Sequence, residues 1–172
     1  MENPFRFDAE KALEVIIYIA EKAKTPDIYH VQKILYFADL EHLEGYGRFI
    51  CGDSYIAMNA GPVPSGVYDI IKDVRSERNP FYPVASKEAF NVDGNYIEPK
   101  RNANLDFFSK SDLKCLNDSI AENECLSFGQ LKSKSHDAAY DAADMNGEMS
   151  VYEIAKSLKD ANALIELLEE CV

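Results

Sequence analysis

Positive charge is scarce in this sequence. Its 172 residues carry 18 Lys and Arg against 30 Asp and Glu, a formal net charge of −12. A negative field of that kind repels phosphate backbones and anionic lipid, so neither nucleic acid nor membrane is an expected partner. The short cationic stripe Lys72, Arg75 and Arg78 is interleaved with Asp73 and Glu77. It reads as a solvated helix face rather than the clustered patch that nucleic-acid binding needs. Cysteine is sparse too. Cys51, Cys115, Cys125 and Cys171 are scattered, with no C-x-x-C pair, which argues against a zinc ribbon or a thioredoxin-type centre. No apolar run approaches the length of a membrane span, residues 15–20 coming nearest. The opening Met1-Glu2-Asn3-Pro4-Phe5-Arg6-Phe7 lacks a basic region followed by an apolar run. No signal peptide is therefore expected, and a cytoplasmic protein with reduced thiols is the default. Repeats, low-complexity tracts and linkers are missing as well, and the length suits one domain over residues 1–172.

What is present is helical periodicity. Residues 9–24 are expected to form a first helix, with Asp8 as its cap and Glu10 at the positive end of its dipole. Ala12, Leu13, Val15, Ile16, Ile17, Ile19 and Ala20 make it apolar nearly all round, the mark of a central helix. Thr25-Pro26 is expected to open a second helix, with Thr25 as N-cap and Gly45 and Gly47 at its end. The short link between these two predicts an antiparallel pair. Residues 49–59 read as extended, with a turn at Gly52-Asp53. Gly61-Pro62-Val63-Pro64 reads as a break, because each proline fixes φ and disfavours helix at the residue before it. A third helix is expected over 65–76, then a hairpin turning at Asp93-Gly94. Later helices are expected from near Ser109, from Ser127 with Gln130 as a capping box, and from Ser150 with Glu153 to the C-terminus. The sum is an α+β, predominantly helical single domain with a small antiparallel β-sheet or hairpin.

Residues that could carry chemistry are few and dispersed. Asp39 and His42 share a helix face, with Asp53 as a third candidate. Zinc needs three or four convergent ligands and none follows at motif spacing, so a structural hydrogen bond between His42 and a carboxylate is the simpler reading. Cys51 lacks a recognisable base, orienting group and oxyanion site, and packing is its expected role. Ser135-His136-Asp137 are neighbours in sequence, whereas triad members must converge in space. Gly45, Gly47 and Gly52 do not form a phosphate loop. No catalytic residue, metal or cofactor is expected, and the chain reads as a protein binder rather than an enzyme. The last helix sets Glu166, Glu169 and Glu170 beside Leu164, Leu167 and Leu168, either an acidic outer side or a partner-binding face.

One ordered block stands apart. Lys33-Ile34-Leu35-Tyr36-Phe37-Ala38-Asp39-Leu40-Glu41-His42-Leu43 is followed by Tyr46-Gly47-Arg48, Ile50, Gly52-Asp53, Tyr55-Ile56-Ala57-Met58, Gly61-Pro62-Val63-Pro64-Ser65 and Val67-Tyr68-Asp69. The tail adds Leu131, Ser135-His136, Ala139-Tyr140, Ala142 and Met149-Ser150-Val151-Tyr152-Glu153-Ile154. This pattern resembles the Panacea domain, the SocA-like antitoxin domain also known from phage-associated GepA proteins. The resemblance departs mildly at Tyr140, where the family often has tryptophan. It implies a helix-rich antitoxin of a bacterial toxin–antitoxin pair, borne on a prophage or mobile element, with a cognate protein toxin as partner. Some members hand a toxin to a protease, which makes a protease a second implied partner. Within the block, Tyr46, Arg48, Asp53, Tyr55 and Met58 are candidate toxin contacts, Tyr46 and Arg48 being residue types that favour interface anchoring. Lys33, Tyr36, Asp39, His42, Gly52, Gly61, Pro62, Pro64, Tyr68 and His136 are expected to be scaffold, since glycine and proline at turns usually answer a backbone need.

Overall fold

The computed structural model describes residues 3–170, so Cys171 and the opening Met1-Glu2 lie outside the described residues. Helix α1, Ala9–Lys22, begins where Asp8 accepts the Lys11 amide, as its sequence predicts. It stops two residues short of Lys24, and Ala12 to Ala20 are buried without a break. Helix α2, Ile28–Tyr46, is capped by Asp27 rather than Thr25: the Asp27 side chain accepts the His30 amide. A remote strand decides this. The Ile97 amide donates to the Pro26 carbonyl at 2.8 Å and Asp27 bridges Tyr96, which holds both residues extended.

Strand β1, Tyr55–Met58, pairs antiparallel with β2, Gly61–Pro64. The proline-rich segment is thus a strand as well as a break. The Ser65 amide donates to the Ser54 carbonyl at 2.8 Å, which puts ladder bonds on odd-numbered residues of this strand. Pro62 and Pro64, which lack an N–H, face away from β1 and lose nothing. The far edge of β1 is covered by residues 146–149, where Met149 donates to the Tyr55 carbonyl at 2.7 Å.

Helix α3, Ser65–Arg75, follows directly, then the short α4, Ser86–Ala89. Strands β3, Phe90–Asp93, and β4, Tyr96–Pro99, form the expected hairpin, with Asp93 paired to Tyr96 and Gly94-Asn95 as the turn. After a single 3-10 turn at Leu105–Phe107 comes α5, Lys110–Asn123, with a capping box between Ser109 and Asp112. Helix α6, Phe128–Ser135, has the predicted Ser127–Gln130 box. Helix α7, Ala138–Asp141, is one turn long.

The single last helix expected from Ser150 is two: α8, Val151–Lys156, and α9, Ala161–Glu170. Ser150 makes no side-chain cap. The break follows from Asp160, whose φ is 54°, and from Glu44, which accepts the Lys159 amide at 2.9 Å.

The fold is α+β and mostly helical, as expected, and among the described residues the strands form two separate two-stranded antiparallel sheets rather than one. Helix α2 is its axis. Val31, Ile34, Leu35 and Ala38 enter a cluster with α1, α3 and α5, while Tyr36 and Leu43 enter a second cluster with β1, α7, α8 and α9. Its most extensive helix contact is with α5; the expected α1–α2 contact is present but smaller. No helix among the described residues is long and apolar enough to cross a membrane.

Candidate functional site

The ordered block of residues 33–69 becomes a buried polar frame. Asp39, fully buried on α2, accepts the Ile50 amide at 2.6 Å and the Tyr55 hydroxyl at 2.7 Å, tying α2 to the following loop and to β1. Burial pushes the Asp39 carboxyl up to about 7, against the pull of these two bonds. Asp53 acts as a cap at a distance. Helix α3 has proline at its N-cap and no side-chain cap of its own. The Asp53 carboxylate instead accepts the Gly66 and Val67 amides, each at 2.8 Å, and the Ser54 amide at 2.8 Å. Buried N–H groups at a helix start need such acceptors, and the dipole favours a negative charge there. Gly52, next to it, has φ 69°, and a Cβ would lie 2.3 Å from the Arg6 carbonyl oxygen. The chain therefore requires glycine at this turn.

The tail of the pattern locks onto the same frame. The Tyr36 hydroxyl donates to Asp137 at 2.7 Å, and Asp137 caps α7 by accepting the Tyr140 amide. The Tyr140 hydroxyl donates to the Met58 carbonyl at 2.8 Å, and His136 stacks on the Tyr140 ring at 4.1 Å. Ser135 bonds back to the Lys132 carbonyl. Ser135, His136 and Asp137 thus point to three different tasks.

A second network gathers around Asp112, which the sequence reading did not single out. Its carboxylate is fully buried and receives Lys11 at 2.6 Å, Arg48 at 3.0 Å and the Ser109 amide at 2.8 Å, with His42 Nε2 at 3.2 Å. Burial alone would raise the Asp112 carboxyl, yet hydrogen bonds from His42, Lys11 and the Ser109 amide hold it well below the usual carboxylate range. His42 donates from Nδ1 to the Arg48 carbonyl at 2.8 Å, and its Nε2 lies 3.0 Å from the Ser111 hydroxyl and 3.2 Å from Asp112, so the carboxylate beside it is Asp112 and not Asp39. Asp39, His42 and Asp53 do not converge, and among the described residues no group of three His, Cys, Asp or Glu is placed to hold a metal ion. Burial pushes the Cys51 thiol well up, and the Asp39 and Asp53 carboxyls add to that.

The five candidate toxin contacts separate. Asp53 and Tyr55 are 2% and 1% exposed and bonded internally, so they present no surface. Arg48 is half-exposed but committed to Asp112 and to the Phe49 carbonyl. Tyr46 and Met58 are exposed, Tyr46 at the end of α2 and Met58 near its start. Met58 rims a groove of about 620 Å³ at the start of α2, lined by Tyr29, Gln32, Lys33, Val63, Tyr68 and Phe128 among others. Scaffold residues Lys33 and Tyr68 therefore also serve as groove lining. Tyr46 lies at the other end of α2, its ring tilted by 40° against that of His42 with centroids 4.8 Å apart. The adjoining Gly47 packs directly against Leu167 of α9. Leu167 is itself exposed, and Glu166, Glu169 and Glu170 are exposed around it. The result is an apolar spot with an acidic rim.

The scaffold is α+β and mostly helical, with exposed apolar spots and with its buried acids tethering neighbouring segments. Residues 31–140 match the family model described as antitoxin SocA-like, Panacea domain. The chain belongs to that family. No curated protein and no solved structure matches the chain.

Proposed function

We propose that this chain is the antitoxin of a type II toxin–antitoxin pair, acting in the cytoplasm by direct binding of one cognate protein toxin and without catalysis of its own. The family match over residues 31–140 carries this reading. The surface that supports it best is the acid-rimmed spot formed by Tyr46 and Leu167, with Glu166, Glu169 and Glu170 beside it. Tyrosine supplies a rigid anchor with a polar tip, and the net charge of −12 steers a basic partner toward the chain.

Co-expression with the toxic gene encoded beside it is the test. Growth should return, and Tyr46→Ala combined with Leu167→Asp should abolish the rescue without unfolding the protein. Failure to rescue any adjacent toxic gene sinks the reading. The exposed acidic end of α9 also supports an adaptor that hands the partner to a protease. Pulse-chase of the toxin separates the two: an unchanged half-life with restored growth means direct neutralisation, and a shortened one means delivery.

A further inference from the structure

The groove at the start of α2 contains buried polar groups that the fold leaves unsatisfied. Gln32 is 5% exposed, and its Nε2 has no hydrogen-bond partner among the described residues. Lys33, next to it, is fully buried. Its ammonium donates to the Pro62 carbonyl and lies over the Tyr29 ring, 4.9 Å from the centroid, and it joins no ion pair among the described residues. A buried amine without a counter-ion is held partly neutral by its burial and a buried amide without an acceptor is costly, and each gains from an incoming acceptor.

The walls are apolar. Tyr29 and Phe128 have ring centroids 4.4 Å apart, and Met58 and Val63 line the same space. Asp27, the carboxylate of the lining, is already paired with His30 at 2.6 Å, while Arg75 is cationic and burial lowers the Lys33 amine to about 7, so that an incoming anion would restore its charge. The lining thus carries no excess of acid, in a chain of net charge −12. Its volume of about 620 Å³ falls in the range of small-molecule pockets, about 300–1,000 Å³, which are apolar with a few placed polar groups.

We propose that this groove binds a small organic acid, its apolar or aromatic body against Tyr29 and Phe128 and its carboxylate at the floor formed by Gln32 and Lys33. There the carboxylate gives the ammonium a counter-ion and the amide an acceptor. Both side chains are long and unbranched, so a change of rotamer brings their donors to the opening. The site stands whether or not the chain neutralises a toxin.

The test titrates the full chain with indole-3-acetate and with neutral indole-3-acetamide. The chain has no tryptophan, so indole emission is read without background. The acid should bind at least about tenfold tighter than the amide, a difference of about 1.4 kcal/mol. The side-chain NH₂ signals of Gln32 should shift on binding. Phe128→Ala removes an exposed ring, 55% accessible, and should weaken both ligands severalfold with the fold intact. Lys33→Met should erase the preference for the acid and leave amide binding in place. The wild-type comparison stands on its own if that variant does not fold. Equal affinities for acid and amide overturn the proposal, as does no binding of either at millimolar concentration. Capture of acetyl-Leu-Phe-Asp-amide but not of the free acid also overturns it, in favour of a partner peptide.

Discussion

Replacing Asp112 by asparagine keeps the volume and removes the charge that joins four segments. The carboxylate receives Lys11 of α1, His42 of α2, Arg48 of the loop after α2 and the Ser109 amide of its own capping box. Breaking one side of a buried ion pair costs about 3–5 kcal/mol, because the partner charges lose their compensation. Lys11 and Arg48 side chains are 13% and 40% exposed, so water takes over part of their solvation and the low end applies. A loss of about 3 kcal/mol is expected at pH 7, seen in urea as a midpoint lower by about 1.5 M at a slope near 2 kcal/mol per M. The pH dependence has a definite sign. The Asp112 carboxyl is held below its unfolded value, so its stabilisation is present above about pH 4 and is lost as pH falls through and below that point. At pH 3 the gap between wild type and variant should narrow by about 1 kcal/mol. Asp39 and the other titrating groups that make no contact with Asp112 are common to both proteins and cancel in the difference. Stability within about 0.5 kcal/mol of wild type at pH 7 refutes the assignment.

Other outcomes follow from the frame of residues 33–69. Gly52→Ala puts a Cβ 2.3 Å from the Arg6 carbonyl at φ 69°, and should cost at least about 2 kcal/mol, whereas Gly94→Ala, at φ 61° with open space around it, should cost about 1; paired thermal melts check the difference. Asp53→Asn leaves one acceptor oxygen where two now serve the Ser54, Gly66 and Val67 amides, and should lower stability by about 2 kcal/mol, with hydrogen exchange rising first at the start of α3. Tyr46→Ala alone should leave the melting temperature within about 2 °C, since its ring is 51% exposed, while raising the dissociation constant for the toxin at least about tenfold in calorimetry.

Local signals carried through from sequence to structure, and remote ones did not. Asp8 and Ser127 cap their helices as expected, and α5 begins beside Ser109 as expected, because an N-cap bond spans only a few residues. Thr25 lost its place to Asp27 because strand β4 holds Pro26 and Asp27 extended, a contact about seventy positions away that no local pattern encodes. The break between α8 and α9 likewise depends on Glu44 reaching the Lys159 amide. Two prolines in four residues argued against a strand, yet both sit at ladder positions that need no N–H. The scaffold role of Gly52, Asp39 and His42 was readable as a type of need, but their partners were not. The capping-box half of Asp112 was visible as Ser109-x-x-Asp112; the arrival of Lys11 and His42 was not. Met58 was named while Tyr29, Gln32 and Phe128 were missed, since the groove assembles from residues up to a hundred positions apart.

The central claim is a tight complex with one small basic toxin. Isolation of the tagged chain from a lysate of its own cells at low and at high salt tests it most directly. The account predicts one partner encoded next door, held in fixed near-stoichiometric ratio, weakened as salt screens the charge of −12 and lost in the Tyr46→Ala, Leu167→Asp variant. No stable partner at low salt, or a partner retained equally by that variant and at high salt, contradicts it.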